Sequence, residues 1–240
     1  MQLYYVRHGQ SENNLLHAQT GSSEARNADP ALTELGVRQA ECVAAFLASA
    51  RITNEECFDL QNVTGVGLTH LYTSLTLRAV MTGTIIARAV GLPLVGWTDI
   101  HETGGIYLEN KETGELVGYP GKSRAYFAEH FPELILPDDM NDAGWWNRPF
   151  EDRPERLPRA QRVMARLLEK HGGTRDRVAM VSHGGFFNYL LMAFLHLDER
   201  RLWFYMNNAA VTRFDFDSDN MPLSVAYLNR AEFLPGELIT

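Results

Sequence analysis

Cysteine is nearly absent from this 240-residue chain, which carries only Cys42 and Cys57. Two cysteines without a metal-type spacing exclude a thiolate zinc site and a disulfide scaffold, and they fit a reducing compartment. No apolar run approaches the roughly 20 residues that cross a bilayer. The amino terminus also lacks the charged flank, apolar stretch and small-residue cleavage site of a secretory signal, so a cytoplasmic protein is expected. Positive charge is scarce as well, with 22 Lys and Arg against 30 Asp and Glu, for a net charge of -8. Binding a phosphate backbone or an anionic lipid surface needs a continuous basic face, so nucleic acid and membrane are excluded as partners. Any phosphate ligand has to be held by a few local cations. Also missing are a Walker loop, a Gly-x-Ser-x-Gly elbow, a dinucleotide fingerprint and internal repeats.

Apolar residues make up 45% of the chain, enough for a substantial core, and the length suits one α/β domain over residues 1–240. Residues 3–6 predict a buried strand that stops at Arg7-His8-Gly9. A helix capped by Thr33 carries the apolar stripe Val37, Ala40, Ala44, Leu47 and Ala48. A second strand at 68–73 leads through Ser74 into a helix over 75–90, ended by Gly91-Leu92-Pro93, which puts Arg78 in the first turn. Residues 94–97 predict a short strand before Asp99-Ile100-His101-Glu102. Between about 103 and 152 the periodicity fades and Gly, Pro, Asn, Asp and aromatic residues take over, the pattern of an insertion or lid. Pro154 opens a helix that Gly172-Gly173 ends, residues 177–182 form a buried strand stopping at His183-Gly184, and an apolar helix follows over 186–195. Residues 210–216 and 223–228, joined across Asp217-Ser218-Asp219-Asn220, predict a closing hairpin. Strands alternating with helices imply a three-layer α/β/α architecture with a mainly parallel central sheet, the insertion lying over the active site.

Two of these strands end in a His-Gly turn although 175 positions (183 − 8) separate them. If the strands are parallel neighbours, both imidazoles leave the sheet at its carboxyl edge, where α/β proteins bind ligands. The helix bearing Arg78 starts at the same edge, and its free N–H groups and dipole favour an anion. Arg7, Arg78, His8 and His183 together would suit a phosphoryl group, because a guanidinium offers bidentate hydrogen bonds and keeps its charge. An attacking imidazole must be neutral, and flanking arginines push it that way. Residue order leaves open which histidine attacks. His17, His70, His130, His171 and His196 stand at no helical metal spacing, and His101-Glu102 lacks the second His of a zinc-protease helix. Catalysis without metal or cofactor is therefore expected.

Arg7-His8-Gly9 with Asn14, Thr20-Gly21, the run from Leu32 to Gly36 through Gln39-Ala40, Ser74 to Arg78-Ala79, Ile100-His101-Glu102 and Ser182-His183-Gly184 occur in this order along most of the chain. This ordered set resembles the histidine phosphatase superfamily, which includes cofactor-dependent phosphoglycerate mutase. The resemblance implies that His8 attacks phosphorus and becomes phosphohistidine, that Arg7, Arg78 and His183 bind the phosphoryl oxygens, and that water later releases phosphate. It implies Glu102 as the acid that protonates the leaving oxygen and then the base that activates water, with His101 as its rival. A carboxyl group beside a bound phosphate dianion is driven toward the protonated form such an acid needs. Asn14, Thr20, Gly21 and Gly184 match positions that line the family's pocket, although residues 21–28 read as an inserted surface loop.

The family's mutases carry an Arg and a Tyr-Gly soon after the acid, whereas Glu102 is followed here by Thr103-Gly104-Gly105-Ile106-Tyr107. That departure points to hydrolysis. Lys111, Lys122, Arg124, Arg148, Arg153 and Arg156 are the cations available to fold back over the pocket, and Tyr119, Tyr126, Phe127, Trp145, Trp146 and Phe150 are expected to cover it. The resulting expectation is a metal-independent phosphomonoester hydrolase whose partner is a small phosphorylated substrate. A phosphoglycerate mutase and a non-catalytic phosphate-binding regulatory protein are the alternatives. The substrate is not legible in a segment without periodicity, and a homodimer is left open.

Overall fold

Strand β1 (Gln2–Arg7) is buried along its middle and sends alternate side chains into two cores, Tyr4 and Val6 into one, Leu3 and Tyr5 into the other. A strand buried on both faces belongs at the centre of a sheet. The computed structural model describes residues 1–49, 59–198, 202–216 and 223–240. Beside β1 lies β7 (Arg177–Ser182), followed outward by β2 (His70–Thr73), β3 (Leu94–Gly96) and β6 (Leu134–Ile135), all parallel. On the other side β8 (Val211–Asp215) pairs antiparallel with β1 and β9 (Ser224–Arg230) with β8. The expected closing hairpin thus extends the sheet from β1. Its turn, Asp217 to Asn220, lies outside the described residues, as does Cys57.

Helices α2 (Glu34–Leu47) and α3 (Leu77–Val90) cover the Tyr4 and Val6 face through Val43, Leu47, Ala79 and Val80. Helices α5 (Arg153–His171) and α6 (Gly184–Phe194) cover the other through Val163, Leu167, Phe186 and Leu190. These are the three layers expected. Arg78 sits in the first turn of α3 as expected, although the helix begins at Leu77 after the N-cap Thr76, two residues later than the pattern predicts. Helix α6 begins two residues before the apolar stretch that announces it, making His183 its N-cap. Helix α1 (Glu12–Thr20) was not expected. It buries no side chain and so has no apolar stripe to betray it, and a reciprocal cap between Ser11 and Asn14 starts it instead.

The segment expected as an insertion forms the ribbon β4 (Tyr107–Glu109) and β5 (Leu116–Gly118) and the short helix α4 (Arg124–His130). It also supplies β6 to the main sheet. Its Phe127, Trp145 and Trp146 join the same core as α2 and α3, so the segment enlarges that core rather than building its own. No helix among the described residues is long and apolar enough to cross a membrane.

One close approach fixes the turn after β1. A Cβ on Gly9 would stand 2.3 Å from the Gly36 carbonyl oxygen, and one on Gly36 would stand 2.1 Å from that of Gln10. Only glycine at both positions lets the start of α2 press against the turn that carries His8.

Candidate active site

Arg7 of β1 stands opposite Ser182 of β7 in parallel register, so His8 and His183 leave the sheet together with ring centroids 5.0 Å apart. Both are buried. The two carboxyl ends are tied by Tyr5, whose hydroxyl lies 2.8 Å from Ser182 Oγ and accepts the His183 backbone N–H at 3.1 Å. The turn after His8 is pinned by Gln39 Oε1, which accepts the Gln10 N–H at 2.7 Å, and by Asn208 Nδ2, which donates to the His8 carbonyl at 3.1 Å.

The tautomer of His8 follows from its neighbours. Nδ1 lies 2.6 Å from the Gly9 carbonyl oxygen, which only accepts, so Nδ1 carries the proton and Nε2 the lone pair. The Arg78 Nε–H donates to that Nε2 at 3.1 Å. Burial first, then the charges of Arg78 and Arg7, hold His8 well below the ordinary imidazole value, so the ring is neutral. His183 is held down in the same way by burial, Arg78 and His8. Its Nε2 is 2.9 Å from Ser74 Oγ and 3.3 Å from Thr76 Oγ1, while Nδ1 faces Arg78 Nη2 at 3.4 Å.

A pocket of about 170 Å³ opens at this edge, lined in part by Arg7, His8, Asn14, Arg26, Arg78 and Glu102. His183 is not among the residues that line it; it is fully buried beside His8 and faces Arg78 Nη2. Arg7 is anchored through Nη1 to the Met206 carbonyl, and its buried Nε has no protein partner. Gly184 backs Arg7, since a Cβ there would meet Arg7 Nε at 3.5 Å. Buried Asp29 accepts the Leu77 N–H at 2.9 Å with the same oxygen that faces Arg78 Nη1 at 4.0 Å, so it aims that guanidinium. Asn14 Oδ1 accepts from the Ser11 backbone N–H at 3.1 Å and from Asn208 Nδ2 at 3.3 Å. With its carbonyl end occupied, its amide is the end available to an anion.

Glu102 lines the pocket while capping α6. Oε1 accepts the backbone N–H groups of Thr103 at 2.7 Å and Phe186 at 2.9 Å, and Oε2 accepts that of Gly185 at 3.2 Å. The loop carrying it is clamped by Arg159, which donates through Nη1 to the carbonyls of Asp99 at 2.6 Å and His101 at 3.1 Å. Arg159 in turn pairs with Glu151 at 2.8 Å, and Glu151 accepts the Gly104 N–H at 3.2 Å. These two side chains are only 3% and 6% exposed. His101 is no rival to Glu102. It is fully buried, its Nδ1 is taken by the Glu102 carbonyl at 2.7 Å, and its ring lies 4.6 Å from that of Trp146, away from the pocket.

Several expectations are corrected. Thr20 and Gly21 lie at the exposed end of α1, outside the pocket. The reason is local: Gly21 adopts a left-handed φ of 66° to close the helix, and Thr20 Oγ1 bonds back to the Leu16 carbonyl at 2.8 Å. None of Lys111, Lys122, Arg124, Arg148, Arg153 and Arg156 lines the pocket. Lys111 pairs with Glu24, Lys122 lies over the Tyr126 ring, and Arg148 lies over the Trp146 ring. Nor do the six aromatic residues expected to cover it line it; Tyr107, 4.4 Å from the Arg26 guanidinium, is the ring beside the pocket wall.

Sequence reasoning also missed Arg26, Asp29, Glu151, Arg159 and Asn208. Arg26 sits in a loop with no pattern to mark it. Arg159 was readable, since it shares the apolar face of α5 with Val163 and Leu167, where a cation requires a buried partner.

Comparison with known proteins adds to this geometry. The family model described as histidine phosphatase superfamily (branch 1) matches residues 3–228. A probable phosphoglycerate mutase GpmB of Yersinia pestis is 28% identical over 219 residues, covering 90% of this chain and 85% of that protein. Among solved structures, a mycobacterial glucosyl-3-phosphoglycerate phosphatase superposes with a TM-score of 0.60 at 22% identity over 96% of this chain and 99% of its own. A phosphoserine phosphatase of Entamoeba histolytica, in complex with 3-phosphoglyceric acid, gives 0.58 at 17% identity over 98% and 99%. These structural likenesses are to the fold.

Proposed function

The chain belongs to the histidine phosphatase superfamily, and on that premise we propose that it hydrolyses phosphomonoesters of a small metabolite through a phosphohistidine at Nε2 of His8. The observation that carries the proposal is the state of His8: a neutral ring with its Nε2 lone pair beside two guanidinium groups, in a pocket that also holds a carboxyl group.

In the first step Nε2 forms the bond to phosphorus as the ester P–O bond breaks, and Glu102 supplies the proton to the departing oxygen. The Gly9 carbonyl steadies the positive charge that gathers on the ring through Nδ1–H. Arg7 and Arg78 carry the charge on the phosphoryl oxygens, Arg78 exchanging its contact with Nε2 for one with oxygen. The Asn14 amide donates to the same group, and Gly184 holds Arg7 in line. His183, fixed by Ser74 and Thr76, backs Arg78. In the second step water attacks phosphorus while Glu102 takes its proton, the Nε2–P bond breaks and phosphate leaves.

His8 is preferred to His183 as nucleophile because it lines the pocket. The cluster of metal-ligand type among the described residues, His70, His171 and Asp176, lies at the opposite end of β2 and β7, so full activity is expected in excess EDTA. The activities for which the two phosphatases of like fold are named support a small phosphorylated metabolite as substrate. A mutase reading is favoured by the name of the Yersinia pestis relative and by Arg26, an extra cation on the pocket wall.

The test is a panel of phosphomonoesters scored for phosphate release, with a labelled ester used to trap the intermediate. An acid-labile, alkali-stable adduct is expected that disappears in His8→Ala. Absence of the adduct, or its survival in the variant, removes the mechanism. Conversion of 3-phosphoglycerate to 2-phosphoglycerate faster than phosphate release would decide for the mutase.

A further inference from the structure

The 170 Å³ pocket is too small for a whole metabolite, since small-molecule sites run to roughly 300–1,000 Å³. A second cavity of about 650 Å³ adjoins it, between the loop after α1 and the β4–β5 ribbon. The two share Ser23 and Arg26, whereas Arg7, His8, Arg78 and Glu102 line only the smaller one. Arg26 therefore stands at the passage between the phosphoryl site and the space beyond it.

Its surroundings show what is missing there. The guanidinium lies 4.4 Å from the Tyr107 ring centroid, and its Nε is buried without a hydrogen-bond partner. The acid on its own loop, Glu24, pairs instead with Lys111 at 3.3 Å, and no carboxylate pairs with Arg26 among the described residues. A guanidinium held by an aromatic face, with a desolvated N–H and no acid, is incomplete until an anion arrives. Arg7 and Arg78 already serve the transferred phosphoryl group, so the anion Arg26 awaits belongs to the leaving group.

Building on the phosphatase reading, we propose that Arg26 is a specificity residue. It selects phosphomonoesters whose leaving group carries a second negative charge, a carboxylate or another phosphate, a few bonds from the bridging oxygen, with the remainder of that group in the larger cavity. Lined by Tyr107, Leu108 and Leu116 as well as by Ser22 and Lys111, that cavity takes a body of mixed polarity. The loop bearing Arg26 is the one that separates Gly21 from Asp29, and its fold against the ribbon is what brings this cation to the pocket.

The test uses non-hydrolysable phosphonates, so that binding is read independently of turnover. Affinities of the intact chain, Arg26→Ala and Arg26→Lys are measured by calorimetry for propylphosphonate, 3-phosphonopropionate and propane-1,3-diyldiphosphonate. The intact chain is expected to bind the two doubly anionic compounds about tenfold or more tighter than propylphosphonate, the scale of a charge-assisted hydrogen bond. Arg26→Ala should erase most of that preference and Arg26→Lys should restore part of it. A preference for one doubly anionic compound over the other distinguishes carboxylate from phosphate. No preference in the intact chain, a preference that survives Arg26→Ala, or an equal weakening for all three compounds would overturn the proposal. Failure of the phosphatase reading would show elsewhere, as absence of phosphate release and of a His8 adduct.

Discussion

The Nε–H of Arg78 meets the Nε2 lone pair of His8 across 3.1 Å. One guanidinium thus occupies the nucleophile's lone pair and is placed to grip the group that this lone pair attacks. Arg78→Lys keeps the charge but loses the planar fork that faces His8, His183 and Asp29 together. A fall in kcat/KM of about 10²–10³-fold is expected, the scale for removing one donor from a developing charge. Steady-state kinetics on an alkyl phosphate would show it, and near-normal activity in the lysine variant would mean that a point charge suffices.

Glu102 is proposed as the proton donor, so its loss should depend on the leaving group. Glu102→Gln keeps the shape of the side chain but cannot deliver a proton. It should slow an alkyl phosphate by about 10²–10⁴-fold while slowing p-nitrophenyl phosphate far less, because nitrophenolate departs without protonation. Equal losses on both substrates would assign the proton to another group.

The Arg159–Glu151 pair carries the loop that presents Glu102. Removing one partner strands the other as a buried charge, so Glu151→Ala is expected to cost about 3–5 kcal/mol in denaturant unfolding. Activity on alkyl phosphates should fall with it in conditions where the variant is folded, since the Gly104 N–H and the Arg159 fork both lose their acceptor.

The pH dependence of stability follows from three buried histidines. His8, His101 and His183 are all held well below 6.5, chiefly by burial. They stay neutral in the fold yet take up protons in the unfolded chain below 6.5, so the unfolded state binds more protons there. Stability therefore rises with pH up to about that value and is lost as pH falls below it, by up to about 1.4 kcal/mol per pH unit for each group. Buried Asp29, raised chiefly by burial against the pull of Arg78, acts with opposite sign at pH values above the ordinary aspartate range. Melting temperatures recorded from pH 5 to 8 should be flat above neutrality and fall below it, more gently in His101→Gln. A melting temperature that does not change with pH would show that these rings are not neutral in the fold.

Local pattern was enough to place β1, α2, β2, α3, α5 and β7, because each is marked by a continuous apolar run or an apolar stripe with a cap or a glycine at its end. It marked His8 and His183 as sharing one edge if their strands were neighbours, and the parallel pairing of β1 with β7 supplies that condition. Pattern could not show α1, whose side chains are not buried, or the direction in which the segment 103–152 packs, which is set by Trp145 and Trp146 entering a core made elsewhere.

What the amino-acid sequence determined by itself was the sheet and the rim to which Arg7, His8, Arg78 and His183 belong, because these hang on strand ends and a first helical turn that short-range chemistry specifies, whereas Glu102, on a loop, was marked only by the family resemblance. Only the tertiary structure decided the rest. The lone pair of His8 depends on the Gly9 carbonyl and Arg78, the seat of Glu102 on α6 and the Arg159 clamp, and the place of Arg26 on Tyr107. Apart from Gly9, these partners lie far away in sequence, and no local periodicity encodes a contact between side chains that meet only when the loops close over a finished core.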